Sequence, residues 1–530
     1  VIPPETQRVL DFLASTLAYP HLPAEVRRLQ THASWLFIAS PFVYKMKKPV
    51  NFGFLDFSTL EKRREDCKRE VVLNRRLAVG VYLDVLPVCD TPVGLRLIEG
   101  GPPVEWLVLM REMDQEGFLS HRLRHGHVTR ETIDAIAARL REFYRTQPPL
   151  PASEAALACR RVAGFVQDNF TCARRFIGQS VSLAALAAIE RFSTAFENHH
   201  RELLESRATD GWIRDCHGDL HCEHIHLSGS GVQIYDCIEF NTEFRHIDIA
   251  CDLAFLAMDL DFYDRPDLAH HLVDDFSNAL EDTALERLMN FHKCYRACVR
   301  GKVESLHSAG DTVPDDERAA SLALARRYFQ LALRYAIGGS RPRVWVFMGR
   351  VASGKSTLAE AVSHETGWRV ESSDCLRKNL AGMPLNERGT AAERALLYSK
   401  KMTQRVYDGL LDAAMQETAK GHSIIVDATF SLRQQRDDFH QACASNGVAV
   451  HWVVAEAGEE AALCRLRERD GDSSVVSDAR EEDLALLNSR YEPPDELADE
   501  VCTRLTTDGE TEVTVTKLLA ALASHNAVHT

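Results

Sequence analysis

No stretch of this chain is apolar enough to span a bilayer. Its longest apolar runs, such as VWVFM at 344–348, stop far short of the roughly 18–20 residues that a spanning helix needs. No basic-then-apolar leader is visible, so secretion and membrane insertion are not expected. The 14 cysteines include no CxxC pair, which argues against a disulfide framework or a four-cysteine zinc site and fits a reducing cytoplasm. Fixed-period repeats and low-complexity tracts are missing, which excludes solenoids and long disordered segments. Positive charge is short as well. The 62 Lys and Arg against 77 Asp and Glu give −15, which disfavours general binding to a polyanionic backbone but leaves room for a local basic groove at a nucleic-acid end.

What is present is an ordinary globular composition, 45% apolar and 26% charged, spread over 530 residues. At about 100–200 residues per domain, that is enough for several domains or subdomains. From about 30 to 113, short β-like runs (SWLFIAS, FVYKMKK, WLVLMREM) surround one charged helical stretch at 58–77, whose apolar positions are Val71, Val72, Leu73 and Leu77. From 129 to about 205 and from 266 to 337 the pattern is mostly helical, interrupted at 213–240 by loop and strand segments. GGSRPR at 338–343 punctuates the chain, and beyond it strand-like VWVFM, WRVES, HSIIVDATF and VAVHWVVAE alternate with helical patterns. That rhythm predicts a mostly parallel sheet covered on both faces, and a domain boundary near residue 340.

The more specific of two concentrated motifs is GRVASGKS at 349–356, a GxxxxGK[ST] string lying between an apolar strand and a helix. Gly349 and Gly354 let backbone N–H groups curl around phosphate, with Ser353 and Thr357 beside them. Lys355 reaches the β- and γ-phosphates, and Ser356 can hold Mg²⁺. A bland glycine turn accounts for the glycines but not for Lys355 and Ser356 in this setting. After the next strand, Asp374 sits where open α/β sheets hold ligands and can accept a proton from an attacking hydroxyl; as an alternative it is an ordinary helix cap. Arg377 and Lys378 follow within a turn. Asp427 ends the third strand at a Walker-B-like position for Mg²⁺ or its waters. Arg465, Arg467, Arg469 and Arg480 surround a polar loop suited to a mobile lid that places cations on a transferring phosphate, although each could equally belong to a solvated helix. This part of the chain, roughly the last 190 residues, resembles the P-loop kinase group that contains zeta toxins, polynucleotide kinases and gluconate-kinase-like proteins. The resemblance implies Asp374 as substrate-activating base, Arg377 near the acceptor, and one or more of Arg465 to Arg469 as lid arginine.

CHGDLHCEHIHL followed by IYDCIEFN is the second motif, with Asp219 and Asp236 separated by 17 residues and a hairpin-like stretch. A kinase-like site needs one aspartate to orient a hydroxyl and take its proton, and another to ligate the Mg²⁺ that bridges the phosphates. His217, His221 and His224 also admit a less favoured metal-hydrolase reading, since imidazole suits zinc. Upstream, Lys45 and Lys47 share a strand face and Glu70 lies in the following helix, as a phosphate lysine and its orienting glutamate would; a basic edge strand is the plainer alternative. Residues 30–300 resemble the aminoglycoside-phosphotransferase-like branch of the protein-kinase fold, with 107–114 as hinge. Three departures stand out: His224 replaces the usual asparagine ligand, no clear glycine-rich loop precedes Lys45, and Glu239 follows Asp236 closely and could supply a compensating metal carboxylate.

The expected architecture is therefore α+β followed by α/β. It comprises a bilobal protein-kinase-like domain over 1–339 (small lobe about 1–110, helical lobe about 114–337) and a P-loop domain with a doubly wound parallel sheet over 340–530. This order resembles bacterial fusions of an aminoglycoside-phosphotransferase-like domain with an AAA-type ATP-binding domain. The expected chemistry is ATP- or GTP- and Mg²⁺-dependent transfer of a γ-phosphate to a hydroxyl of a sugar, nucleoside or aminoglycoside-like molecule. Phosphorylation of an RNA or DNA 5′ end, and a nucleotide-gated regulatory protein with a pseudokinase-like first lobe, stand as alternatives.

Overall fold

The computed structural model describes residues 3–53, 55–97, 100–229, 231–310, 313–470 and 476–529. It divides into two compact units. The first comprises Val1–Ala163 and Glu202–Glu286, and the second comprises Gly164–Arg201 and Arg287–Thr530.

In the first unit a six-stranded antiparallel sheet runs in the order Arg27–Gln30, Ser34–Ala39, Phe42–Lys47, Pro103–Arg111, Tyr82–Thr91, Gly94–Arg96. Alternation along Phe42–Lys47 decides what each face does. Tyr44 and Met46 join Trp35, Phe37 and Leu107 in a core that includes the helix Pro4–Leu13, while Lys45 and Lys47 point to the other face. That face is covered by the helix Leu60–Asn74, capped by Thr59, whose hydroxyl accepts from the Lys62 N–H. Its buried stripe is Arg63, Asp66, Cys67, Glu70, Val71 and Asn74. Val72, expected in an apolar set, is instead 67% exposed. The stripe has helical spacing but carries charge, because it faces lysines as well as Val108 and Met110.

The rest of this unit is helical around two small antiparallel ladders, Ile213–Asp215 with His246–Asp248 and Ile225–Ser228 with Gly231–Ile234. The helix Ile249–Phe262 is buried on all sides from Ile249 to Leu260, including Asp252 and Asp259. A buried aspartate needs partners, and these two find theirs in the polar loop at 216–224.

The second unit holds a five-stranded, fully parallel sheet ordered Arg369–Ser372, Ile424–Asp427, Arg343–Met348, Ala449–Glu456, Cys502–Thr506. Val344, Val346, Ile424, Val426, Trp452 and Val454 pack beneath the helices Lys400–Ala419 and Arg433–Ser445. The fifth strand, Cys502–Thr506, is absent from the sequence reading. It lies at the edge, and its alternation of buried and open residues is too short to register as a strand pattern.

The units divide the chain differently from a cut at 340. The helix Leu183–His199 and most of Leu285–Ser308 and Asp315–Gly338 belong with the second unit. There Asn526 Nδ2 donates to Tyr335 O at 2.9 Å, Arg191 Nε donates to Ser524 Oγ at 2.8 Å, and the His200 ring bonds Ala527 O at 3.0 Å. The helices Leu183–His199 and Asp315–Gly338 pack on the closing helix Thr511–His529, a tertiary choice that local patterning does not encode. Among the described residues, no helix is long and apolar enough to cross a membrane.

Candidate functional site

In the second unit the loop 349–354 joins the central strand to the helix Lys355–Thr366. At Gly349 (φ +148°) an added Cβ would meet Ala455 O at 2.3 Å, so only glycine lets the chain leave the sheet this way. Gly354, at φ +83°, precedes the first helical turn, placing Lys355 and Ser356 at the helix end where N–H groups are open to an anion. Ser353 is 2% exposed, and its hydroxyl has no hydrogen-bond partner among the described residues. Thr507 Oγ1 donates to Ser353 O at 2.6 Å, tying the loop to the end of the fifth strand.

Asp427 ends the strand beside this loop, 5% exposed, and its Oδ1 has no hydrogen-bond partner among the described residues. Burial pushes its carboxyl up, and Lys355 together with a hydrogen bond from Ser356 pulls against that push. A hydroxyl and an orphaned carboxylate oxygen side by side are the donor set that a hard, oxygen-preferring Mg²⁺ takes. The residues present therefore fit both a phosphate group and its divalent ion.

Asp374 occupies the first turn of the helix Ser373–Ala381, whose cap is Ser372, so it is not the cap itself. It lies close enough to add its charge to that of Asp427. Arg469 shares this neighbourhood: burial lowers its pKa, while Asp374 and Asp427 hold the guanidinium charged. The expected lid loop is described only in part, since 471–475 lie outside the described residues.

Two expected arginines are placed otherwise. Arg465 Nη1 donates to Ala352 O and Thr507 Oγ1, both at 3.1 Å, and so braces the phosphate loop from behind rather than riding on a lid. Arg377, 6% exposed, donates to Leu397 O at 2.7 Å and lies 4.7 Å from the Tyr398 ring centroid, which ties it to the helix Ala391–Leu397. Lys378 is likewise committed, to the carbonyls of Leu385 and Glu387 and to Asp478. A small cavity of about 60 Å³, lined by Gly354, Thr357, Leu358, Arg465, Thr507 and Thr514 among others, opens beside the loop.

In the first unit Lys45 Nζ bridges Glu70 Oε1 at 2.8 Å and Asp236 Oδ1 at 3.0 Å. Lys47 does something different. Its ammonium is held by Asp66 at 2.7 Å and by Glu70 and Glu239 at 2.6 Å each, in a cage whose side chains are at most 9% exposed. Asp66, Glu70 and Glu239 have the spacing of a metal cluster, but Lys47 fills it. Glu239, expected as a compensating metal carboxylate, is thus a partner of Lys47, because the chain after Asp236 turns back toward the helix Leu60–Asn74. Burial raises both lysines' desolvation cost, and the surrounding carboxylates outweigh it, holding their pKa values well above the usual range. Burial pushes Glu239 to about 7, whereas Glu70, bonded to the ammonium groups of both Lys45 and Lys47, stays below its usual value.

Asp236 adopts φ +61°, its N–H donates to Tyr82 Oη at 3.2 Å, and the next N–H, of Cys237, donates to Asn74 Oδ1 at 2.8 Å. Burial alone would raise its carboxyl; the Lys45 ammonium overcomes this and holds it well below the carboxylate range. Two residues that the sequence reading missed set the preceding loop. Asp252 accepts from the N–H groups of His217 at 3.0 Å and Gly218 at 2.9 Å and from Tyr144 Oη at 2.9 Å, and Asp259 accepts from the Cys222 N–H at 2.8 Å. Their signal was available as Asp252 and Asp259, seven positions apart, within the long apolar run of a helix whose only other charged residue is Asp261 near its end.

The histidine string is not a zinc triad. The His217 Nδ1 accepts from Asp219 N–H at 3.3 Å and its Nε2 donates to Tyr235 O at 2.9 Å, while burial lowers its pKa to about 4. The His221 Nδ1 accepts from Glu223 N–H at 3.3 Å, which leaves the proton on Nε2, 3.5 Å from Asp219 Oδ2. In both rings the lone pair is spent on backbone. His224 is the opposite tautomer: its Nδ1 donates to Asp219 O at 2.9 Å, and its Nε2 faces Asp236 Oδ2 at 3.5 Å.

The glycine cradle, the Lys355–Ser356 helix start and the Asp427 strand end on a parallel sheet define a P-loop nucleotide-binding domain. A model of the AAA domain family matches residues 344–494. The Mycobacterium tuberculosis protein Rv2004c and the Mycobacterium bovis protein Mb2027c are each 31% identical over 465 residues, 87% of this chain and 89% of theirs. The chain belongs to the family of these mycobacterial proteins. Similar solved structures include a Janibacter sugar kinase (21% identity, 35% of this chain and 98% of that one, TM-score 0.27). A second is the Mycobacterium tuberculosis APS kinase in complex with AMPPNP and APS (22%, 34% and 98%, TM-score 0.26). A third is a choline kinase from Cryptosporidium parvum (9%, 62% and 94%, TM-score 0.39).

Proposed function

We propose that the chain is an ATP- and Mg²⁺-dependent phosphotransferase with two kinase-like modules. In this reading the P-loop module moves a γ-phosphate to a hydroxyl of a small molecule. The observation that carries it is the phosphate loop with Lys355 and Ser356 at a helix start and the orphaned Asp427 oxygen beside them, with Asp374 and Arg469 near enough to Asp427 for their charges to be felt there. Asp374 orients the acceptor hydroxyl and takes its proton, Lys355 and the loop N–H groups hold the phosphates, and Arg469 offsets charge that builds on the transferring group. Asp427 and Ser356 hold Mg²⁺, which when bound neutralises phosphate oxygens. Arg465 and Thr507 keep the loop in shape. No covalent enzyme intermediate is needed, since positioning and charge do the work.

The first unit is read as the second, bilobal protein-kinase-like module. Lys45, oriented by Glu70, holds phosphate, Asp219 serves as base, and Asp236 ligates metal. The test is transfer from γ-labelled ATP into pooled sugars, aminoglycosides, nucleosides and RNA ends by the wild type and by Lys355→Ala, Asp374→Asn and Asp219→Asn. Label lost with Lys355→Ala and Asp374→Asn assigns turnover to the P-loop module, and label lost with Asp219→Asn assigns it to the first. Undiminished transfer by Asp374→Asn would sink the assignment of that base.

A further inference from the structure

One guanidinium in the second unit has no counter-charge. Arg343 opens the central strand Arg343–Met348, about 17 Å along that strand from the phosphate loop at its other end, at roughly 3.3 Å per residue. Alternation places Val344, Val346 and Met348 in the core beneath the helices Lys400–Ala419 and Arg433–Ser445, and turns Arg343 and Trp345 to the other face of the sheet. There the Arg343 Cζ lies 5.6 Å from the Trp345 ring centroid, and that ring stacks on Trp368 at 5.4 Å and meets His451 at 5.2 Å. His525, on the closing helix, is 5.5 Å from His451 and 4.4 Å from His529 one turn on.

The cluster is rich in donors and short of acceptors. Arg343 Nε and Trp345 Nε1 are both buried without a hydrogen-bond partner among the described residues, and Trp345 is only 1% exposed. Other arginines with an orphaned Nε pair through the rest of the guanidinium: Arg64 with Glu61, Arg300 with Glu304, Arg377 with the Leu397 carbonyl and Arg394 with Asp483. Burial lowers the Arg343 pKa with no carboxylate opposing it. Its charge is felt nearby: burial first, then His525 and Arg343, bring His451 down to about 3, and burial, His529 and Arg343 lower His525, where Glu500 pulls the other way. An arginine stem laid on an indole with its head in water accounts for the Trp345 contact but not for two orphaned donors side by side. A buried charge is costly until something pairs with it, and guanidinium and indole N–H groups can only donate. An oxyanion supplies both the negative charge and the acceptors.

We propose that Arg343, the Trp345 Nε1–H and the His525 and His529 rings form a binding site for a phosphate-type oxyanion, separate from the phosphate loop. His529 is exposed and His525 half-buried, so the site opens to solvent along the last turn of Thr511–His529. The planar guanidinium fork favours a multiply charged oxyanion over a simple halide. Two anion sites then stand at opposite ends of one strand and hold phosphate by different means, backbone N–H groups and a lysine at one end, guanidinium, indole and imidazole at the other. The second site stands whether or not the first transfers phosphate.

The experiment follows the full chain carrying fluorotryptophan by ¹⁹F NMR, with the Trp345 signal assigned by its absence in Trp345→Phe. Inorganic phosphate and AMP are titrated against chloride at constant ionic strength, in the wild type and in Lys355→Ala, which disables the phosphate loop. The Trp345 signal is expected to move saturably with phosphate in both proteins, and Arg343→Met is expected to raise the midpoint about tenfold or more. Equal midpoints for phosphate and AMP name free phosphate as sufficient, and a midpoint about tenfold lower for AMP names a phosphate monoester; either supports the site. A wild-type Trp345 signal that stays put up to about 10 mM phosphate overturns the proposal. So does movement that Lys355→Ala abolishes, which belongs to the phosphate loop, and movement that Arg343→Met leaves intact. Hydrogen exchange without added oxyanion gives a second reading. Methionine keeps a stem on Trp345 and removes an unpaired charge, so protection of Arg343–Met348 and Thr511–His529 is expected to hold or rise in Arg343→Met; a fall of about tenfold would make the guanidinium a structural element and overturn the site.

Discussion

Replacing Lys47 with methionine removes one ammonium from among three buried carboxylates while keeping the length and packing of the side chain. Asp66, Glu70 and Glu239 approach it at 2.7, 2.6 and 2.6 Å, and none of their side chains is more than 9% exposed. Removing one partner of a buried charge pair costs about 3–5 kcal/mol, since the other charge is left without compensation. Here three are left, though Lys45 still serves Glu70. A loss of about 4 kcal/mol for the elements around the cage is expected. The loss also depends on pH. With Lys47 present, burial already raises Glu239 to about 7 from an ordinary 4.5. A carboxyl whose folded pKa is raised binds more protons folded than unfolded, so its contribution to stability falls as pH rises through that window. Without Lys47, Glu70 and Glu239 lose an opposing charge and move upward, so the deficit relative to the wild type widens as pH rises through the acid range for Glu70 and through about 7 for Glu239. Native-state hydrogen exchange over Phe42–Lys47 and Leu60–Asn74 reads the local free energy directly. A deficit below about 1 kcal/mol, or one flat with pH, would refute the description of the cage as a charge-compensated unit.

Four further outcomes are expected. Gly349→Ala forces a Cβ to 2.3 Å from Ala455 O and should weaken nucleotide binding about 100-fold or more in calorimetric titration, with an unchanged affinity contradicting the cradle. If Asp374 is the proposed base, Asp374→Asn should lower kcat by about 10² to 10⁴ with nucleotide Kd nearly unchanged, since a base acts only on the acceptor. Arg469→Met should reduce kcat by about 10³ and leave substrate KM little altered if the guanidinium meets charge that develops late, whereas a pure KM effect would assign it to binding. Asp252→Ala removes the acceptor of the His217 and Gly218 N–H groups and of the Tyr144 hydroxyl and, at about 1–3 kcal/mol for a buried donor that loses its acceptor, should destabilise the first unit; urea unfolding that matches the wild type would show that the loop is set by other contacts.

Much of the candidate site was legible because phosphate chemistry leaves local marks. Gly349, Gly354, Lys355 and Ser356 are fixed in spacing by a single loop, and Asp374 and Asp427 each follow a strand that its own apolar run betrays. The arginines were not legible in the same way. Arg465, Arg467 and Arg469 look alike in sequence, yet one braces the loop, one pairs with Glu481 at 2.7 Å on the surface, and one is buried near enough to Asp374 and Asp427 to feel their charge. In the helix Glu459–Asp470 the four-residue spacing puts Arg465 and Arg469 on one face and Arg467 on another, so spacing separates only Arg467 and packing decides what the other two meet. Asp252 and Asp259 escaped notice because an aspartate in an apolar helix has meaning only once its distant partners are known.

By itself the sequence determined the local chemistry: a parallel-sheet segment with a phosphate loop, a strand presenting two lysines on one face, a charged helix, and an aspartate-bearing hairpin. Those features depend on residues a few positions apart, where backbone geometry alone sets neighbourhood. Only the tertiary structure decided how distant charges share space. It gave Lys45 to Asp236 and Lys47 to Glu239, spent the lone pairs of His217 and His221 on backbone while aiming that of His224 outward, and folded the helices Leu183–His199 and Asp315–Gly338 onto the closing helix of the P-loop unit rather than onto the elements next to them in the chain. The physical reason is common to all of these. Burial makes an unpaired charge or polar atom costly, so the partner is chosen by three-dimensional proximity in the packed interior, which a one-dimensional pattern does not record.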